Sequence, residues 1–136
     1  MLFKTPEVEE EFEHLTVLLQ DIAVHLDLFC TKSGFKEITV TRVLEHVCGD
    51  SGVHEAKRAF DVRNEFDGQR TYTDEQMTSI VDYLNRMYPR NDGFPTALHH
   101  SFHGGPFHLH VQIALNVMTY VPNLPEKTPE TAGDKA

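Results

Sequence analysis

The sequence has few cysteines, few basic residues and no long apolar run, and each shortage excludes a class of protein. Cys30 and Cys48 are too few and too widely spaced for a zinc knuckle or a disulfide framework. No apolar run approaches the roughly 18 residues of a membrane span. Lys and Arg number 12 against 21 Asp and Glu, and the net charge of -9 argues against nucleic acid or an anionic membrane surface as the main partner.

The residues that are present indicate one small folded domain. A chain of 136 residues is long enough for a single modest core, and 40% hydrophobic with 24% charged residues is ordinary for a globular protein. Nine histidines are many for this length and agree with a metal site. Most of them, such as His14 and His25, are expected to be surface or packed residues without a ligand role.

Capping residues and apolar spacing predict two helices. The first has Thr5 as its N-cap and Pro6 at its first position, continues as one long amphipathic helix, and ends before Gly34. The second opens with a capping box that begins at Thr73 and is stopped by Pro89. Both apolar stripes are expected to face the core.

Strands are predicted where β-branched residues or alternation dominate, at 37–44, 58–63, 96–100 and 108–117. The polar segment 64–70 is predicted to be a loop or turn. The order of elements predicts an α+β domain, with helices packed on a small, mostly antiparallel sheet. This domain covers residues 1–121, and the tail 122–136 is predicted to be disordered because it has almost nothing to bury.

Two histidine-containing pieces are interpreted as halves of one zinc site. His54 is followed seven residues later by Asp61, whose inward-facing carboxylate would be costly unless it were paired or bound to metal. His108 and His110 are two residues apart, so a strand points both to the same face. One imidazole can bind a metal while the other holds or moves a proton. Three ligands of His, Asp and His type leave a fourth position open, as a catalytic zinc requires.

Three further histidines, His99, His100 and His103, precede a Gly-Gly-Pro turn. They could line the same cleft, but their spacing alone assigns them no role.

These pieces resemble the zinc-peptidase superfamily that includes D-alanyl-D-alanine carboxypeptidases, bacteriophage L-alanyl-D-glutamate endopeptidases and the hedgehog signalling domain. The resemblance covers residues from about Ile38 to Ile113. His54, Ala59 and Asp61 coincide with the family pattern Ser-x-His-x-x-Gly-x-Ala-x-Asp, in its Arg-Ala-Phe-Asp variant. A late His-x-His completes the likeness.

The resemblance implies a hedgehog- or DD-peptidase-like fold in which His54, Asp61 and His110 bind Zn²⁺. The family pattern is what selects His110 rather than His108 as the ligand. One departure is Lys57, which stands where the family has glycine.

Catalytic roles also follow from the resemblance. Most members place Glu or Asp as a base three residues before the last zinc histidine, where this chain has Phe107. His108 is the expected substitute, as a general base or as a group that stabilises the developing oxyanion. Arg42, on the strand before the His54 motif, is expected to bind a substrate carboxylate or steady the oxyanion, with a solvent-facing or ion-paired role as the alternative.

The implied function is a zinc-dependent peptidase, carboxypeptidase or endopeptidase, that cleaves an amide bond in peptidoglycan stem peptides containing D-amino acids. The N-terminus has no signal peptide, so we expect synthesis in the cytoplasm and passage to the cell wall through a pore or within a phage particle. Two alternatives remain. One is a non-catalytic zinc module that uses the same fold to bind a partner, and the other is a structural protein whose histidines are incidental.

Overall fold

The computed structural model describes residues 1–44, 58–101 and 106–114 of the chain. The helices of these ranges are α1 (Pro6–Phe12), α2 (Val17–Lys32) and α3 (Asp74–Met87). The strands are β1 (Leu2–Phe3), β2 (Thr39–Arg42), β3 (Ala59–Arg63), β4 (Glu65–Phe66), β5 (Gln69–Arg70), β6 (Ala97–His100) and β7 (His108–Gln112). The described residues form a small mixed α/β domain with a mostly antiparallel sheet, which confirms the predicted architecture at that level.

The main sheet has the strand order β1-β2-β3-β7-β6, and only the short β1 pairs in parallel with its neighbour. Strand β3 is central and lies between β2 and β7. Asp61 in β3 therefore pairs with Arg42 on one side and with His110 on the other. The strand order thus brings three distant parts of the sequence to one point.

The two faces of the central strands carry different residues, because side chains alternate along a strand. Phe60 and Val62 of β3 belong with Leu109 and Val111 of β7 to the hydrophobic core, and all four are fully buried. Core residues of α2 and α3 belong to the same cluster. The intervening Asp61 is left for the opposite face, where the polar site lies.

The prediction of one long N-terminal helix is wrong, because the chain forms α1 and α2 with a break between them. Thr16 has φ -58° and ψ 149°, which is not helical. The side-chain amide of Gln20 donates to the carbonyl oxygens of Glu13 and Leu15, at 3.3 and 3.0 Å, and so satisfies groups left open at the break. Buried apolar residues continue through the break, which is why periodicity did not reveal it.

Several predicted strand limits also change. The strand predicted over 37–44 is confined to β2, and the segment 64–70 is a hairpin of β4 and β5 instead of a plain loop. Asp67 and Gly68 connect the hairpin with φ of 53° and 75°, the backbone that a two-residue type I′ turn requires. The last predicted strand ends at Gln112, and residues 115–117 lie outside the described residues, as does the tail 122–136. β1 was not predicted.

Asn85 joins α3 to the edge strand β6. Its side chain donates to the carbonyl oxygen of Ala97 at 3.0 Å and accepts from the amide of Ala97 at 2.9 Å. These two bonds fix β6 on α3 and so help to set the position of the residues that β6 contributes to the polar face.

None of the helices in the described part of the chain is long and apolar enough to cross a membrane, the longest having 16 residues.

The capping box of α3 is confirmed and gives a stability test. The Thr73 hydroxyl accepts from the Gln76 amide at 3.0 Å, and the Gln76 side chain accepts from the Thr73 amide at 3.1 Å. We expect Thr73→Ala to lower the free energy of unfolding by about 1 kcal/mol, because it leaves an amide of the first turn unpaired. Urea denaturation measures this loss. Thr78→Ala, at an exposed position inside α3, is the matched control, and an equal loss in both variants would contradict the capping role.

Candidate functional site

The site is organised around the carboxylate of Asp61, whose residue is only 3% exposed. Its Oδ1 lies 2.8 Å from Nδ1 of His110. Its Oδ2 lies 3.1 Å from Nε of Arg42 and 3.5 Å from Nε2 of His108. Four of the five site residues named from the sequence therefore meet in one cluster, and the partners offset the cost of burying a charge.

Strand register produces this cluster. His110 and Arg42 are the direct cross-strand partners of Asp61, and His108 precedes His110 by two residues and so shares its face. The register shifts between Val40 and Arg42, as in a β-bulge. A bulge changes the direction in which side chains point, and both Thr41 and Arg42 line the cleft next to the carboxylate.

Arg42 is thus an ion-paired residue, the alternative left open by the sequence. Its side chain is 17% exposed, and the salt bridge to Oδ2 fixes the orientation of the Asp61 carboxylate. Arg42 also lines the cleft, so the arginine lies beside any group bound there.

His110 is held at both ring nitrogens. Nδ1 faces Asp61, while Nε2 lies 3.1 Å from Oε1 of Gln112, which is two residues further along β7. The side-chain nitrogen Nε2 of Gln112 donates to the carbonyl oxygen of Pro95 at 3.4 Å, and this bond keeps Oε1 of the same side chain directed to the imidazole. Outer hydrogen bonds of this kind orient metal-binding histidines in proteins. Gln112 shares the face of His108 and His110, because residues two apart along a strand point to the same side.

His100 extends the cluster across β6. Its ring centroid is 4.7 Å from that of His108 and 5.5 Å from that of His110. Burial lowers the pKa of His100, and the positive charge of a protonated His108 lowers it further. Its buried Nε2 has no hydrogen-bond partner within the described residues. The predicted strand 96–100 does not by itself say which face of the sheet His100 occupies. The strand register does, because His100 is the direct cross-strand partner of His108.

His99 lies apart from this cluster and is fixed by a buried asparagine. Oδ1 of Asn64 accepts from the Tyr72 amide at 2.9 Å, so Nδ2 is the atom that donates to Nε2 of His99, at 2.8 Å. His99 must then carry its proton on Nδ1 and be neutral. Burial lowers the pKa of His99, and the charge of Arg70 acts in the same direction.

The residues present fit a zinc site in donor type, but the described ranges do not complete one. In residues 1–44, 58–101 and 106–114, no group of three or more His, Cys, Asp or Glu side chains could hold a metal ion. Zinc ligands with bonds of 2.0–2.2 Å lie about 3.4 Å apart in a tetrahedron. The 2.8 Å between Asp61 and His110 would need only a small opening. His54, the third predicted ligand, and His103 lie outside the described residues.

A cleft of about 240 Å³ opens beside the carboxylate cluster. Asp61, His108 and Arg42 line it together with the exposed rings of Phe66 and Phe107. The cluster is therefore accessible from one side while the other side of the sheet is covered by the core.

No carboxylate occupies the position that the family uses for its base. Phe107 stands there, three residues before His110, and its ring is exposed. Glu65 accepts a hydrogen bond from the Phe107 amide at 2.8 Å and lines the same cleft. Apart from the permanently charged Arg42, His108 is thus the ionisable side chain of the cleft nearest to Asp61 among the residues described.

Comparisons with protein-family models, with curated proteins and with solved structures found no match for this chain. The resemblance to zinc peptidases therefore rests on the motif residues alone. Of these, Asp61, His108 and His110 lie close together in space.

The Asn64–His99 pair predicts a loss of stability in acid. Because the pKa of His99 is lower in the folded chain than in the unfolded chain, the unfolded chain binds more protons near pH 6. The contribution of this pair is present above the unfolded value of about 6.5 and is lost as the pH falls through the folded value. His99→Gln keeps an acceptor for Asn64 but cannot titrate, so we expect its unfolding free energy to fall less than that of the wild type between about pH 7.5 and about pH 5.5.

Urea denaturation at both pH values measures the difference, with exposed His14→Gln as the control. Identical pH dependence in the wild type, His14→Gln and His99→Gln would contradict this account of His99.

Proposed function

We propose that the chain is a zinc-dependent peptidase that hydrolyses an amide bond in peptidoglycan stem peptides, next to a D-amino acid. The observation that carries the proposal is the shared Asp61 carboxylate, which contacts His110, His108 and Arg42 at 2.8, 3.5 and 3.1 Å. The sequence motifs nominated each of these residues for one site. The stem-peptide substrate comes from the resemblance of the same motifs to zinc peptidases.

Asp61 and His110 would hold the zinc ion together with His54. Gln112 supports this role because it holds the far nitrogen of the His110 ring and leaves Nδ1 on the side of the carboxylate. Arg42 keeps the carboxylate in place through Oδ2 and leaves Oδ1 for the metal side. When bound, zinc supplies Lewis-acid chemistry, since it lowers the pKa of water towards neutrality and polarises a carbonyl group.

His108 would hold or move the proton of the reaction. Its side chain is 20% exposed and lines the cleft, so it can meet both water and substrate. Asp61 lies 3.5 Å from its Nε2, and a carboxylate at this place stabilises the imidazolium that forms when the ring takes up a proton. This is the role that the family gives to the carboxylate absent at position 107.

Zinc binding is the first test. We expect about one zinc ion per chain in the wild type after zinc is supplied, and loss of zinc in Asp61→Ala and His110→Ala, because each variant removes one of three protein ligands. Elemental analysis of the purified proteins measures this, and circular dichroism checks that each variant is folded. His14→Ala, which removes an exposed histidine that does not line the cleft, should retain zinc. Wild-type protein that stays free of zinc would rule out the proposal.

Turnover is the second test, and His108→Ala is the informative variant. We expect it to retain zinc and to lose about 10²- to 10⁴-fold in kcat on stem-peptide fragments, because it removes the proton-transfer group. Chromatographic detection of the released fragments measures the rate, with His14→Ala as the control. Unchanged turnover in His108→Ala would show that the proton is handled by another group.

One observation favours the alternative of a non-catalytic zinc module, namely the exposed Phe107 ring at the position of the missing base. That alternative predicts zinc in the wild type and in His108→Ala, and no cleavage by either. The two tests together therefore separate the enzyme from the module.

A further inference from the structure

We propose that the cleft beside Asp61 binds a carboxylate group of the substrate through Lys4 and Arg63. This inference rests on the proposed function, because it identifies the part of a peptide that would lie in the cleft while the amide bond faces His108. Neither Lys4 nor Arg63 was given a role by the sequence motifs. Arg42, which was expected to bind the carboxylate, is paired with Asp61.

The balance of basic and acidic residues in the cleft differs from that of the whole chain. The chain has 21 acidic residues against 12 basic ones. Among the residues that the structure describes, however, the cleft is lined by Lys4, Arg42 and Arg63 and by only two carboxylates, Asp61 and Glu65. An excess of basic side chains in one concave place of an acidic protein attracts an anionic group.

Both of these carboxylates already have partners. Asp61 is shared by Arg42, His108 and His110. Glu65 accepts the hydrogen bond of the Phe107 amide. Within the described residues, neither Lys4 nor Arg63 takes part in a salt bridge, so their charges are free to bind a ligand.

Arg63 is held in a position suited to this task. It follows Asp61 by two residues in β3 and therefore shares its face. Its Cζ lies 4.3 Å from the centre of the Phe66 ring, so the planar guanidinium rests on an aromatic face. A guanidinium held by its face keeps its N–H groups at the edge, where they can bind both oxygens of a carboxylate.

Lys4 is brought to the same cleft by the backbone. Its amide donates to the carbonyl oxygen of Val40 at 2.9 Å, which ties the end of β1 to β2. Phe66 and Phe107 supply exposed apolar walls between the charged groups. The cleft thus combines cations with apolar surface, as expected for a carboxylate carried on an aliphatic or peptide segment.

Binding of two small probes tests the inference without any need for turnover. The probes are N-acetyl-D-alanine and its carboxamide, which match in shape and differ in charge. We expect the carboxylate probe to bind at least about tenfold more tightly than the carboxamide, because charge-assisted hydrogen bonds are lost in the latter. Titrations followed by amide chemical shifts measure the dissociation constants.

Variants locate the binding. Arg63→Gln and Lys4→Met should each weaken binding of the carboxylate probe by about tenfold. Lys36→Met, which replaces an exposed lysine that does not line the cleft, should leave this binding unchanged. Binding should also weaken with added salt, since these charges are partly exposed. Inorganic phosphate serves as a further probe, and binding of phosphate without binding of the carboxylate would overturn the inference.

Equal affinity for both probes, or unchanged affinity in Arg63→Gln and Lys4→Met, would also overturn it. A carboxylate bound only by zinc would give the second result, because such binding does not depend on Lys4 or Arg63. Zinc content is measured on the same samples. A failure of carboxylate binding with zinc and turnover intact therefore removes this inference alone, and a failure of zinc binding removes the proposed function.

Discussion

The buried carboxylate of Asp61 is the constraint on which the site depends. A charge in the middle of a sheet is tolerated only with partners, and here the partners come from both neighbouring strands. The same contacts that stabilise the charge also orient Arg42, His108 and His110 around it. The same strand register is therefore required for a stable core and for an assembled site. A shift of β3 by one residue would turn Asp61 into the core and Phe60 into the cleft.

The electrostatic arrangement divides the site into two parts. On the β7 and β6 side, His100, His108 and His110 offer ring nitrogens close to a single carboxylate. Towards β1, β2 and the end of β3, the described lining of the cleft has an excess of basic side chains, namely Lys4, Arg42 and Arg63. In the proposed function, zinc binding and proton transfer would take place on the first side, and recognition of an anionic group on the second.

Features that depend only on residues close together in the sequence were predicted correctly in these cases. The inward-facing carboxylate of Asp61 was predicted from its strand, and the Thr73 capping box was correct in both of its hydrogen bonds. Pairings between distant segments could not be predicted, because the contact between Arg42 and Asp61 depends on a register shift in β2. The break before α2 was hidden because Leu15 and Leu19 continue the buried stripe through it.

The carboxamide of Asn85 has a consequence for how the protein meets other chains. Among the strands that the structure describes, β6 is an outer strand of the sheet, and an outer strand offers unpaired backbone groups that recruit further strands. Asn85 bonds both the amide and the carbonyl of Ala97, in the manner of a neighbouring strand, and so closes that point of the edge. Strand addition, including self-association of the chain by this route, is therefore blocked at Ala97.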